Sequence, residues 1–299
     1  MAFNLQTFKT RALTAVVFVI VMLAGLLWNN WSFIILFSII HFGCWFEYEK
    51  LIALIDPVYA GIDKLQRYGA PVAGWGFMLS ATSEEMTLGD FSLHNIGVII
   101  SLTGFSLLLF DLIKKFTTEN GKSLAYSLIG LLYISLPWTC MIALRTYDYD
   151  YKAAFSSFNP AFYVPIILIA SIWINDTMAY VVGSFIGKTP FSKISPKKTW
   201  EGTAGGAILC IVVVCLAGYY LLKFKSITSL IVISAIAAIV GTAGDLLESK
   251  LKRMSNVKDS GQLMPGHGGF LDRFDSLILA TPFVWLYVFF FMAQHPNWH

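Results

Sequence analysis

The chain has 299 residues, 57% of them hydrophobic and 13% charged, with a mean hydropathy of +0.67 and a formal net charge of +3. A soluble globular domain carries about 25% charged residues, roughly twice this share. With 15% aromatic residues the chain is also far from a disordered composition. Soluble α/β enzymes, disulfide-stapled secreted modules and nucleic-acid binders are excluded, and no nucleic-acid partner is expected. The composition is that of an all-α polytopic integral membrane protein.

A spanning helix needs about 20 mostly apolar residues. In chain order, such runs lie at 12–28, 31–46, 96–113, 123–143, 162–186, 203–222, 227–247 and 277–294. A further run at 66–82 is short and interrupted by Gly69, Pro71, Gly74 and Gly76. Basic residues gather in cytoplasmic loops, which decides whether this run counts. With nine spans and a cytoplasmic N-terminus, the inner segments hold 17 Lys and Arg residues; only Arg145, Lys152, Lys223 and Lys225 remain outside. Omitting the run at 66–82 gives 12 to 9 at best. Nine transmembrane helices are therefore expected. The first span follows Lys9 and Arg11 and has no small-x-small cleavage site before Trp28, so it reads as an uncleaved anchor. No repeat or flexible linker divides residues 1–299, which are read as one transmembrane domain. Cys44, Cys140, Cys210 and Cys215 sit in apolar runs without metal-ligand spacing and read as small buried hydrophobes.

The polar residues are unevenly distributed. The outer loops 83–95 and 144–161 show no pattern with chemical meaning and read as solvated loops. The inner loops after the sixth and eighth spans concentrate Lys, Asp, Gly and Ser beside the membrane, which places the expected chemistry at the cytoplasmic face. Asp176 lies well inside the run 162–186, where a carboxylate costs about 2.5–3.5 kcal/mol on insertion scales and so faces a partner or a polar cavity. Gly183 and Gly187, followed by Lys188 and Thr189, have three residues between the glycines where a phosphate-binding P-loop needs four, and they end a helix instead of following a strand. They read as a small-residue helix contact, as do Gly202 and Gly206. Ser195, Lys197, Lys198 and Thr199 precede the next helix, where point charges and free N–H groups bind phosphate.

At the end of the eighth span, Asp245, Glu248, Ser249 and Lys252 share one helix face. A Glu248–Lys252 surface pair accounts for Glu248 but not for Asp245, which is still at membrane depth. Beyond lie Arg253, Lys258 and Asp259, then Pro265-Gly-His267-Gly268-Gly269-Phe-Leu-Asp272-Arg273-Phe-Asp275. The glycines around His267 free backbone N–H groups to turn toward an anion. Asp272 and Asp275, one helical turn apart, repel unless a cation joins them, and such hard oxygen ligands suit Mg²⁺.

The stretch from Ser249 to Asp275 resembles the signature of the CDP-diacylglycerol synthase (phosphatidate cytidylyltransferase) family, with Met264 standing where the pattern takes Leu, Ile or Phe. A second block, Asp176-Thr-x-Ala179-Tyr180 through Gly187-Lys188 to Ser195-Pro196-x-Lys198-Thr199-x-Glu201-Gly202, is similar to that family too, with Met178 in place of a small residue. The resemblance is strong over the C-terminal half, whereas residues 1–160 share only hydrophobicity and helicity.

The resemblance implies attack of phosphatidic acid on the α-phosphate of CTP, giving CDP-diacylglycerol and pyrophosphate. It implies Mg²⁺ held by Asp245 and Asp272, a second cation such as K⁺, and a homodimer. Residues 1–160 would then be scaffold with possible dimer contacts, and residues 161–299 would carry the catalytic motifs. Asp275 or Asp176 would support the metal site. Ser195, Lys198, Lys252, Arg253, Lys258 and Arg273 would meet phosphate groups, and Gly268 and Gly269 would offer N–H donors. His267 would orient a phosphate or protonate pyrophosphate. The membrane lipids and the inner face suit a multi-pass enzyme of a bacterial inner membrane. Two other readings compete: a CTP-dependent lipid kinase, and a secondary transporter with Asp176 and Asp245 as a cation site. A transporter would show broken helices in related halves, and here the Gly-interrupted charged segments all follow residue 175.

Overall fold

The structure, a computed structural model, describes residues 5–114, 118–146, 150–151, 160–192, 194–261 and 268–294. The helices are α1 (Leu5–Leu27), α2 (Asn30–Ile55), the single turn α3 (Pro57–Ala60) and α4 (Lys64–Leu79). After a hairpin of β1 (Thr87–Leu88) and β2 (Phe91–Ser92) come α5 (Leu93–Lys114) and α6 (Thr118–Gly130), which runs through a π turn (Leu131–Ser135) into α7 (Leu136–Thr146). Strand β3 (Asp150–Tyr151) leads to α8 (Pro160–Ile186), α9 (Trp200–Tyr220), α10 (Ile227–Met254) and α11 (Leu271–Tyr287). A second π turn (Val288–Met292) then enters β4 (Ala293–Gln294), which pairs antiparallel with β3.

Each of the nine expected positions holds a helix, and among the described residues seven are long and apolar enough to cross a membrane. Large apolar side chains such as Ile20, Ile35, Ile39, Leu102 and Phe185 stand exposed. A water-soluble monomer rarely tolerates so much open apolar surface, so a multi-pass membrane protein is what the fold shows. Two short ribbons qualify the all-helical expectation. The loop at 83–95 contains the β1–β2 hairpin, turning at Gly89 with φ +65°. Arg145 and Leu144 are buried, and the Arg145 guanidinium stacks 4.1 Å from the Phe162 ring. The solvated-loop reading of 144–161 therefore fails at its first residues, because a π face and a carbonyl receive that charge.

By packing, the chain forms two compact units, one of residues 1–142 with 251–274 and the other of 143–250 with 275–299. This grouping cuts across a division at residue 160: the segment 251–274 packs with the N-terminal helices. In the first unit, Asn29 and Ser32 form a capping box that starts α2. The buried face of α2 carries Phe33, Phe37, Trp45 and Tyr48. Phe37 meets Trp138 at 5.3 Å between ring centroids, and Trp138 meets Phe274 edge-on at 5.9 Å. Helix α4 has 16 residues, roughly 24 Å at 1.5 Å per residue, and packs backbone-close on α5. A Cβ on Gly104 would lie 2.6 Å from Ala73, and one on Gly76 would lie 2.8 Å from the Gly97 carbonyl. The glycines that break its hydropathy are thus its packing face.

In the second unit, α8 and α9 approach through small residues. A Cβ on Gly206 would fall 2.7 Å from Ala179, and one on Gly202 would fall 2.9 Å from Gly183. Gly244 brings α10 onto α11, where a Cβ would lie 3.0 Å from Leu279. Among the cysteines, Cys44, Cys140 and Cys210 are buried, Cys215 is half-buried, and all four are free thiols, as their apolar settings predict.

Candidate active site

Helix α11 begins at Leu271, where two carboxylates take the N–H groups of the residues that lead into it and of Leu271 itself. Asp272 Oδ2 accepts hydrogen bonds from Gly269 N–H at 2.7 Å and Ser260 N–H at 2.9 Å. Its Oδ1 accepts from the Lys252 ammonium at 2.6 Å, and only 12% of either side chain is exposed. The turn that permits this is Gly268, at φ +80°, where a Cβ would stand 2.6 Å from Asp272 Oδ2. Gly269 thus gives its N–H to the protein's own Asp272 carboxylate.

The second carboxylate is Glu47, from α2. It is 3% exposed and accepts from Phe270 N–H and Leu271 N–H, both at 2.9 Å. The Ser260 hydroxyl lies 2.6 Å from Glu47 Oε2 and 3.0 Å from Asp272 Oδ2, with one proton to give. Ser255 ties the end of α10 to α2 by donating to the Leu51 carbonyl at 3.1 Å. Arg253, Lys258 and Arg273 are exposed around this loop. His267 lies outside the described residues. The described groups among these belong to the first unit.

A separate cluster occupies the second unit. Thr199 caps α9 by accepting from Gly202 N–H at 3.1 Å. Pro190 and Thr199 form an isolated bridge, and Phe191 N–H donates to the Lys198 carbonyl at 2.8 Å. Glu201 closes the turn by accepting from Thr189 N–H at 3.1 Å and Thr189 Oγ1 at 2.8 Å. The turn Ser195–Lys198, closed by a 3.1 Å backbone bond, sends the Lys198 ammonium onto Asp245. Both side chains of this pair are partly open, at 32% and 24%. Asp176 is exposed near Lys198 and Asp245, and Asp275 is buried beside Asp245 and Glu248. Next to Asp176, Asn175 is buried with its Oδ1 unpartnered. Glu248 is itself 0% exposed, so a surface pair with Lys252 does not describe it.

The residues read from sequence thus fall into two groups. Lys198, Asp176, Asp245 and Asp275 come together in one unit; Lys252, Gly268, Gly269 and Asp272 come together in the other. Asp272 and Asp275, one helical turn apart on α11, have different partners. Among the described residues no three His, Cys, Asp or Glu side chains converge as a metal site. Magnesium needs only one or two carboxylates, with water and substrate phosphate completing its shell. Asp245 and Asp272 are each, within its own unit, a hard oxygen donor of that kind that already holds a cation in the form of an ammonium group.

Sequence reasoning missed Glu47 and the bridging role of Ser260. A signal for Glu47 existed: it is an ionisable residue immediately after the apolar run 31–46, in a helix that continues to Ile55.

The profile of the Cytidylyltransferase family matches residues 9–291. The phosphatidate cytidylyltransferase of Staphylococcus saprophyticus is 30% identical over 278 residues, covering 92% of this chain and 96% of its own length. That of Synechocystis is 33% identical over 276 residues, covering 84% and 91%. The Rickettsia typhi protein of the same name is 36% identical over 192 residues, covering 62% and 77%. Residues 1–160 therefore share more with these proteins than hydrophobicity, because the family match starts at residue 9.

Proposed function

The chain belongs to the cytidylyltransferase family, and from that membership we propose that it transfers the cytidylyl group of CTP to phosphatidic acid, giving CDP-diacylglycerol and pyrophosphate. The lipid phosphate is anionic at neutral pH and attacks without a strong general base. Its oxygen bonds to the CTP α-phosphorus as the bond to pyrophosphate breaks, so catalysis consists of in-line positioning and charge neutralisation. One observation carries the assignment of roles: both aspartates implied as cation ligands hold a lysine ammonium. A lysine so placed can turn to a phosphate when a stronger cation takes its carboxylate.

Mg²⁺ held by Asp245 and Asp272, with Asp275 or Asp176 in support, supplies neutralisation of the CTP phosphates when bound. Lys198 and Lys252 then serve the triphosphate and the leaving group. Ser195, Arg253, Lys258 and Arg273 meet phosphate oxygens of nucleotide or lipid, and His267 orients a phosphate or protonates pyrophosphate. The same reading includes nine spans with a cytoplasmic N-terminus, a site at the cytoplasmic face of a bacterial inner membrane, a second cation such as K⁺, and a homodimer.

The test is Mg²⁺-dependent pyrophosphate release by detergent-purified protein given phosphatidic acid and CTP, beside a folded Asp272→Asn variant. CDP-diacylglycerol formation that the variant loses supports the reading. Release of CDP with a phosphorylated lipid would instead make the chain a kinase, and no product across Mg²⁺ and K⁺ conditions would reject nucleotidyl transfer.

A further inference from the structure

Glu47 is a carboxylate of the N-terminal helices whose hydrogen-bond partners lie more than two hundred residues away, at Ser260 and where the chain enters α11 just before Asp272. Its two oxygens take the N–H groups of Phe270 and Leu271, where α11 starts, and the Ser260 hydroxyl. The backbone is shaped to admit it. A Cβ on either Gly261 or Gly269 would collide with the Glu47 carboxylate, so both glycines leave room for that group. Ser260, ahead of Gly268, and Phe270 and Leu271, after it, are therefore fastened by one buried anion. Asp272 inherits the result: Ser260 and Gly269, which donate to its Oδ2, are held in place by Glu47 or are neighbours of residues that are.

We propose that Glu47 is a positioning residue that fixes the Asp272 carboxylate in the orientation for cation binding, a role that rests on reading Asp272 as a cation ligand. Glu47 touches no reacting atom in this scheme. Two buried amides and a hydroxyl need three acceptor sites, which an ionised carboxylate provides in one plane and a carboxamide does not. Glu47→Gln leaves the side-chain volume nearly unchanged but turns an NH₂ group toward at least one of those donors. The start of α11 then loosens, and with it the aim of Asp272.

The experiment uses the full chain in detergent, with Mn²⁺ as the probe and free Mn²⁺ read by electron paramagnetic resonance. Supporting groups of this kind change metal affinity by about 10–100-fold, and a weakening in that range is expected for Glu47→Gln. Amide exchange at 269–271 should accelerate in the same variant, measured without metal. Ser135→Ala is the comparator: it removes a buried partner of Trp45 and His41 in the same unit, so it lowers the melting temperature and leaves Mn²⁺ affinity alone. Ser260→Ala, which keeps both amide bonds to Glu47, gives a smaller weakening and serves if Glu47→Gln does not fold. Mn²⁺ affinity unchanged in Glu47→Gln, or in Ser260→Ala where that variant stands in, overturns the positioning role. A shift no larger in Glu47→Gln than in Ser135→Ala overturns it too. Native-like Mn²⁺ binding by Asp272→Asn overturns the reading of Asp272 itself; the exchange rates then still show whether Glu47 fixes the loop.

Discussion

Two aspartate–lysine pairs occupy this protein, and they are built on opposite principles. Asp272 is surrounded by donors: two backbone N–H groups and a hydroxyl, besides the Lys252 ammonium. Asp245 stands among acids, with Asp275 beside it, Asp176 nearby and Glu248 behind, and Lys198 brings a positive charge to them. The first carboxylate is held in one orientation by fixed dipoles, whether or not a cation is present. The second is held by charge balance, which a different cation can supply. A static cradle keeps its geometry without a cation, whereas an exchangeable one can trade one positive charge for another.

The largest effect should come from removing the oriented carboxylate. Asp272→Asn should lower pyrophosphate release by at least about a hundredfold, since a bound metal supplies several kcal/mol of charge stabilisation and each 1.36 kcal/mol is tenfold. It also gives Gly269 and Ser260 a weaker acceptor, so a loss of about 1–3 kcal/mol in stability should accompany it. Activity near that of the native chain would show that the donor-rich cradle is structural only.

The lysines separate the two principles directly. Lys198→Met leaves the acids around Asp245 without that ammonium. Its melting temperature in detergent should fall and then recover as Mg²⁺ is added, because an external cation replaces the lost charge. The pair is partly open to solvent, so the loss should be only about 1 kcal/mol. Lys252→Met should instead show a melting temperature with little added dependence on Mg²⁺, because its carboxylate keeps its N–H donors. Equal Mg²⁺ responses in the two variants would erase the distinction.

How much of this was legible from sequence follows from the range of the interactions. The helices were legible because hydropathy is summed over whole segments, and a helix, α4, also occupies the interrupted run at 66–82. The glycine contacts of α8 with α9 followed from i, i+4 spacing, since that spacing needs only one helix to be read. Asp176 and Asp245 stood out because ionisable residues in apolar surroundings are rare, and Lys198 and Asp272 because their local patterns suit phosphate and cation binding. Glu47 did not stand out, because its partners are far away in sequence and a single Glu at the edge of an apolar run resembles an ordinary helix end. Likewise, nothing local tells that Asp272 and Asp275 take different partners. Their i, i+3 spacing suggests one shared site, but which way each points is decided by the helices that pack there.

A steric probe of the donor-rich cradle is weaker than these charge changes but more local. Gly268→Ala should cost about 1–3 kcal/mol, since φ +80° is strained for any residue with a Cβ. That Cβ would also press on Asp272. The variant should lose activity out of proportion to its loss of melting temperature. A proportional loss would mean that Gly268 serves stability and not the aim of the carboxylate.

The smallest effects should come from the exposed cations at the rim. Lys258 and Arg253 are open to solvent, unlike Lys252. A charge in that position is screened over about 8 Å at physiological ionic strength, so it attracts an anionic substrate without holding a fixed geometry. Lys258→Ala should therefore raise KM by roughly two- to fivefold and leave kcat unchanged, as expected for loss of binding shared by ground and transition states. The difference from the native chain should vanish when activity is assayed at high salt, because screening removes the same attraction from both. A fall in kcat that persists at high salt would move Lys258 from the rim into the reacting centre, and the donor-rich cluster would then have to be redrawn to include it.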